Sequence, residues 1–363
     1  QSLIGFFLIG AILIWMLYNN SFENDQSETT KETTTEQIEE TPVKTAPVQE
    51  NIQENPQDST VLANAQKQLG AFGYSATLAS ATEDASSTIS NDVLELTIDN
   101  KGGYISEARL TQFKSYDSIP IYLIKDGNAS LNLKFTTTDG RVLSTENMYF
   151  EPTVSESGEN KVLSMKLKVS ETEFLEYRYV LKPGEYMMDF SIRSQGLSNI
   201  INSSADINLD WKLKAYRHSK SISYENRYTE ISFEYDGGND DYTGQGELAE
   251  EEEINITYVA YKQHFFTSIL LTDTPFEKGK FTSRNLVQDE EIDTVYTKAF
   301  ATNLPLQLKG GELDYNMNWY YGPTDYKILN NYDRNLDEVV PLGWGLFGWM
   351  NKYIFIPCYE IKY

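Results

Sequence analysis

Two histidines, His218 and His264, are the only imidazoles in the 363 residues, and they stand far apart in the chain. Zinc chemistry wants a second histidine at helical spacing or paired cysteines, and neither histidine has such a neighbour. Cys358 is the sole cysteine, so no internal disulfide forms. No G-x-S-x-G elbow, Walker loop or dinucleotide fingerprint occurs. The run Glu247, Glu250, Glu251, Glu252 and Glu253 offers calcium-type ligands, but it lacks the alternation and glycine of a calcium loop. It reads as a solvated loop from Gly244 to Glu253. Two carboxylates for glycoside chemistry can converge in space from anywhere, and nothing in their spacing singles out a pair. The pairs Gly102-Gly103 and Gly310-Gly311 read as turns or bulges that need positive φ. The expectation is a non-enzyme with no catalytic, cofactor-binding or metal-binding residue.

The elements that frame these residues begin with an apolar run. Leu3 to Tyr18 reads LIGFFLIGAILIWMLY, without a charge or a proline. At about 1.5 Å per residue it spans roughly 24 Å, slightly short of a hydrocarbon core of about 30 Å. Because the chain opens on Gln1, the anchor is expected to start a few residues upstream. Leu3, Ile4, Phe6, Phe7, Leu8 and Ile12 would face lipid, and Trp15 and Tyr18 suit the headgroup layer. A cleaved signal peptide would want a shorter apolar region and a small-x-small site, whereas Asn19, Asn20, Ser21 and Phe22 follow here. The first charges beyond the run, Glu23, Asp25 and Glu28, are acidic, which places that side outside the cytoplasm.

Net charge is −24 and the pI about 4.5. Such acidity argues against nucleic acid, whose phosphates need clustered Lys and Arg, and against a polybasic contact with anionic lipid. Ser21 to Thr60 carries ten acidic residues and two lysines among Thr, Gln and Pro. Such a segment buries too little apolar surface to offset its ordering entropy, and charge repulsion extends it. The stretch Val61 to Leu78 is more apolar and suits a short helix or packing on the domain that follows.

From about Asn91 the period becomes two. Leu94, Leu96 and Ile98 alternate with polar residues, as do Leu163, Met165, Leu167 and Val169. Leu175 to Leu181, Ile207 to Leu213, Ile254 to Tyr258 and Leu313 to Trp319 repeat the pattern. Each reads as a strand with one buried face. Asp126-Gly127, Asp139-Gly140, Pro183-Gly184, Gly237-Gly238 and Gly310-Gly311 punctuate them. With no strand–helix alternation, the pattern predicts a large antiparallel sandwich. Past Gly322-Pro323, Thr324 is placed to cap a short helix, TDYKILNNYD. The segment PLGWGLFGWMNKYIFIP then offers Trp344, Phe347, Trp349 and Tyr353, read as an interfacial helix in the headgroup plane, with a core helix as the other reading.

Three stretches make the chain resemble the amino-terminal part of the bacterial YidC membrane protein insertases, in their Bacteroidetes form. They are SLIGFFLIGAILIWMLYNN, NDVLELTIDNKGGYISEARL with Gly102-Gly103, and NWYYGPTDYKILNNYDRNLDEVVPLGWGLFGWMNKYIFIP with its Tyr-x-Gly-Pro. A weaker match is ITYVAYKQHFFTSIL, through Ala260, Gln263 and Phe266. The resemblance implies four regions: a transmembrane anchor at 1–20, an acidic disordered linker at 21–88, a periplasmic β-supersandwich like that of galactose mutarotases at 89–321, and a connecting helix plus interfacial amphipathic helix at 322–363. It implies insertion and folding of inner-membrane proteins, alone or beside the Sec translocon. The implied partners are nascent membrane proteins, the lipid bilayer, Sec subunits, and the ribosome through regions outside this chain. The groove arginine of the family, a costly charge inside the membrane, has no counterpart here, so no catalytic residue transfers. The alternative is a periplasmic carbohydrate-binding or sugar-epimerase-like domain, since fold does not settle function. That activity would want a histidine beside a carboxylate, and histidines are scarce.

Overall fold

The computed structural model describes residues 59–343 and 350. A helix, α1 (Ser59–Leu69), and a 3-10 segment (Gly70–Thr77) come first. Then follow β1 (Ser86–Ser90), β2 (Leu94–Asp99), β3 (Ile105–Lys114), β4 (Pro120–Ile124), β5 (Ala129–Thr136), β6 (Val142–Ser144), β7 (Glu151–Ser157), β8 (Asn160–Lys168), β9 (Phe174–Leu181), β10 (Met187–Gln195) and β11 (Ile207–Tyr216). After α2 (Ile222–Arg227) come β12 (Glu230–Tyr235), β13 (Asn239–Tyr242), β14 (Leu248–Lys262), β15 (Phe266–Asn285), β16 (Tyr296–Leu306) and β17 (Asp314–Pro323). The chain leaves through α3 (Tyr326–Asn330) and a 3-10 turn (Leu336–Val339).

The two-residue period decides which faces are buried. Along β11, Ile207, Leu209, Trp211 and Leu213 are buried while Lys212 and Lys214 are exposed. The strands pair antiparallel throughout the described residues. β1 to β4 form a four-stranded sheet in chain order. The larger sheet runs β6-β5-β11-β16-β15-β17-β10-β9-β8-β7, with β14, β12 and β13 branching from β15. β16 and β15 separate β11 from β17, a distance of about 14 Å in a flat sheet. Yet the rings of Trp211 on β11 and Trp319 on β17 lie 5.4 Å apart, edge to face. The sheet therefore folds over on itself, and its halves enclose one aromatic core as a sandwich. Tyr261 of β14 is wedged between them: its ring stacks on Trp211 at 3.7 Å. Its hydroxyl lies 2.7 Å from the Trp211 carbonyl and 2.8 Å from Thr302 Oγ1. Both are partners that a buried phenol needs.

The structure refines the sequence expectation in three places. Residues 59–85, placed with the linker by the resemblance, are ordered, in keeping with the short helix and the packing read from Val61 to Leu78: Ala65 and Phe72 are fully buried, and the Phe72 ring meets Phe135 of β5 at 5.3 Å. The apolar side chains of this stretch prevail over the acidic composition upstream, and the first strand opens at Ser86 rather than at 89. The acidic run is strand, not loop: Glu250 to Glu253 pair with Thr282 to Gly279 in the β14–β15 ladder. Carboxylates cross from Lys280 here, Glu252 lying 3.1 Å from its ammonium, so repulsion does not melt the strand. Finally, Asn255 takes φ +54°, Ile254 is exposed while Ile256 is buried, and the register slips between Ile256 and Tyr258. A bulge of this kind breaks alternation. Among the described residues no helix is long and apolar enough to cross a membrane. Leu3, Ile4, Phe6, Phe7, Leu8, Ile12, Trp15 and Tyr18 lie outside them, as do Trp344, Phe347, Trp349 and Tyr353.

Candidate functional site

β17 buries Met317, Trp319 and Tyr321 on its inner face, as alternation requires, and it also buries Tyr320 on the outer face. The cover is the strap of chain that follows. Gly322, still paired with Thr267 in β17, leaves room for this cover: a Cβ there would lie 2.5 Å from Tyr320 Oη and 3.0 Å from Tyr186 Cβ. Tyr320 donates its hydroxyl proton to the Pro323 carbonyl at 2.7 Å. The Thr324 amide then donates to the Phe265 carbonyl at 2.8 Å, between β14 and β15. The helix cap is Asp325 rather than Thr324, accepting from the Lys327 and Ile328 amides at 2.9 and 3.1 Å. Thr324 instead points its hydroxyl at the Gln263 carbonyl, 3.4 Å away.

Beyond α3 the strap is tied to the sandwich at successive points. Leu329 is fully buried, and the Tyr332 ring packs on Tyr320 at 5.8 Å while its hydroxyl donates to Glu185 Oε2 at 3.0 Å. Burial pushes both phenols far above their ordinary range. Arg334 donates to the Thr272 carbonyl (3.1 Å), Asp273 Oδ1 (3.2 Å) and Asn318 Oδ1 (3.4 Å). Asn335 donates to Glu234 Oε2 at 2.7 Å, and Leu336 and Val339 are buried. Asp333 and Asn335 adopt φ +52° and +61°, a region that Asp and Asn tolerate best after glycine. The D-R-N triplet was the sequence signal for this anchorage, and sequence reasoning passed over it.

The glycine pair at the other end of the core is equally confined. Gly102 and Gly103 take φ +86° and +66°, and a Cβ on Gly103 would sit 2.9 Å from the Phe150 ring. Tyr179 donates to the Gly103 carbonyl at 2.8 Å. Its ring stacks on Phe190 at 4.9 Å, which meets Trp319 of β17 at 5.2 Å. An aromatic ladder thus joins the glycine turn to the strand that bears Gly322 and Pro323.

The two histidines do not meet. His264 packs among Tyr224, Tyr228 and Phe265. His218 is buried, its Nε2 3.0 Å from the Tyr122 carbonyl and its Nδ1 3.8 Å from Oε1 of the fully buried Glu225. Burial pulls the His218 imidazole below its usual range against the pull of Glu225. Glu225 Oε2 accepts from the His218 amide (2.8 Å), the Ser219 amide (2.5 Å) and Ser219 Oγ (2.7 Å). The carboxylate thus ties the 218–219 backbone to α2, while the facing His218 Nδ1 and Glu225 Oε1 make no hydrogen bond among the described residues. Beside it lies a groove of about 580 Å³ whose lining includes Phe113, Ile121, Phe265, Phe266 and Pro323. Among the described residues no three His, Cys, Asp or Glu side chains gather as a metal site.

The sequence profile of the YidC periplasmic domain family matches residues 86–357. The chain belongs to that family. It is 28% identical over 379 residues to the membrane protein insertase YidC of Parabacteroides distasonis, covering 99% of this chain and 58% of that relative. It is 29% identical over 304 residues to the one from Porphyromonas gingivalis, covering 80% of this chain and 48% of the relative. The chain thus spans about half the length of the curated relatives it matches. The crystal structure of the periplasmic domain of Thermotoga maritima YidC aligns at 12% identity and a TM-score of 0.36, over 71% of this chain and 96% of that one. Within the YidC periplasmic match fall the glycine turn, the Tyr-x-Gly-Pro end of β17 and the whole described strap.

Proposed function

We propose that this chain is the anchor and periplasmic part of an inner-membrane insertase that helps nascent membrane proteins to insert and fold. The observation that carries the reading is the family match running unbroken from β1 through the strap to residue 357. In this reading residues 1–20 anchor the chain, the acidic segment ahead of α1 spaces the sandwich from the bilayer, and 322–363 leads from strap to interfacial helix. Leu3, Ile4, Phe6, Phe7, Leu8, Ile12, Trp15 and Tyr18 are the anchor residues, and Trp344, Phe347, Trp349 and Tyr353 lie at the headgroups. The sandwich takes the supersandwich form of galactose mutarotases. The chain performs no covalent chemistry. Sec translocon subunits and, through regions beyond these residues, the ribosome are its further partners. The strap supports a mechanical role, since it joins the sandwich to the segment that follows without a free joint before Val340.

The test is a chimera. The counterpart of residues 1–363 in a Bacteroidetes insertase is replaced by this chain, in cells depleted of their own copy. Restored growth and restored insertion of a reporter membrane protein are expected. A chimera present in the membrane at normal level that inserts nothing would sink the reading.

A further inference from the structure

On the outer face of the sandwich, three adjacent strands build a basic trench in a chain whose net charge is −24. The register places Lys214 of β11, Ala299 of β16 and Arg284 of β15 in one row, and Lys212, Ala301 and Thr282 in the next. Cross-strand partners share a face, so both alanines form a floor between two walls. Strand spacing sets the walls about 9.6 Å apart, one extended chain wide. The trench holds about 380 Å³, and its lining contains Lys212, Lys214 and Arg284 but no carboxylate. All three cations are exposed, and none takes part in an ion pair among the described residues; Lys214 overlooks the Tyr296 ring at 5.9 Å. Glu250 stands one strand beyond Thr282, outside the lining. One row further along, the character changes: Asn303 donates to Asp210 Oδ1 at 2.7 Å and ends the basic stretch.

We propose that this trench binds an extended acidic peptide segment of a partner protein, one with carboxylates at every second residue. Lys212 and Lys214 project on one face two residues apart, about 6.8 Å, which is also the spacing of alternate side chains on an extended peptide. Arg284 closes from the opposite wall and, with its planar fork, suits a carboxylate. A narrow trough favours a single strand of polypeptide over a bilayer, whose flat array of phosphates meets the walls but not the floor. The alanine floor admits the peptide backbone where any larger residue would fill the trough.

The test uses the full chain in nanodiscs of phosphatidylcholine, with a fluorescent Glu-Thr-Glu-Thr-Glu-Thr-Glu-Thr peptide followed by anisotropy. Saturable binding is expected, weakening at least tenfold in Lys212→Gln/Lys214→Gln and falling with salt. Ala301→Trp keeps every charge and fills the floor, and is expected to weaken binding by a similar factor. A peptide with four Glu followed by four Thr is expected to bind at least threefold more weakly. Equal affinity for both peptides, or binding indifferent to Ala301→Trp, would reduce the trench to diffuse electrostatics and overturn the proposal. Loss of peptide binding to the parent chain when phosphatidylglycerol replaces part of the phosphatidylcholine at the same salt would assign the trench to lipid and overturn the proposal equally.

Discussion

Tyr320 and Pro323 are joined across Gly322: the phenol donates to the proline carbonyl at 2.7 Å, through space that a single methyl would fill. The junction depends on the smallest residue lying between the partners. Gly322→Ala is expected to cost about 1–3 kcal/mol by overpacking. Tyr320→Phe leaves the carbonyl orphaned and costs about 1–2 kcal/mol. Urea midpoints of the two variants measure both.

Arg334 ties the strap to three acceptors, of which the Asp273 carboxylate is more than half exposed and contributes little by itself. Arg334→Ala is therefore expected to free the strap without unfolding the sandwich. Hydrogen exchange at residues 332–340 should rise at least tenfold, while exchange in β17 holds. Arg334→Lys, which lacks the planar fork, should fall between.

Glu225 is a buried carboxylate with three donors on one oxygen. Glu225→Ala strands the buried His218 amide and the half-buried Ser219 amide and is expected to cost about 3 kcal/mol. Glu225→Gln keeps an acceptor and should cost less. Chemical denaturation separates the two, and the chemical shift of His218 reports whether the loop stays closed.

Asp240 supplies a pH dependence. Asp240 stands on an exposed edge strand, where partial desolvation, then the charges of Glu234, Glu338 and Asp337, raise its carboxyl to about 6, against the bond from Tyr258 that opposes the rise. A folded-state pKa above the unfolded value of 3.8 means that the folded protein holds the proton more tightly. The stabilisation is complete below about 3.8 and is lost as pH rises through about 6. Asp240→Asn should gain stability over the parent as pH rises from about 3.8 to about 6 and then keep a constant lead. Denaturation midpoints at pH 4.5, 6 and 7.5 that ran parallel for the two proteins would refute this.

The strands were largely legible because each carries its own period, as Ile207 to Leu213 does. Burial set by a later segment was not. Tyr320 lies on the outward face of β17, and it is covered by Tyr186 and by the strap arriving from residues 326–340. The acidic run misled for a related reason: Glu250 to Glu253 look like solvent-loving loop until β15 is laid alongside, with Lys280 opposite Glu252. Phe72 was legible as apolar, but its ring partner Phe135 on β5 lies some sixty residues away. The D-R-N of the strap spoke only through backbone angles that a sequence does not print.

The way the strap lies on β17 also sets how the molecule would respond to being pulled. Tension applied beyond Val340 meets the strap from its loose end, so its ties at Asn335, Arg334 and Tyr332 would let go singly, like a zipper, at low force. β17 itself is held along its length by β15 on one side and β10 on the other, and would have to slide past both at once. The segment from 326 to 340 would then give way before the body of the domain is put at risk.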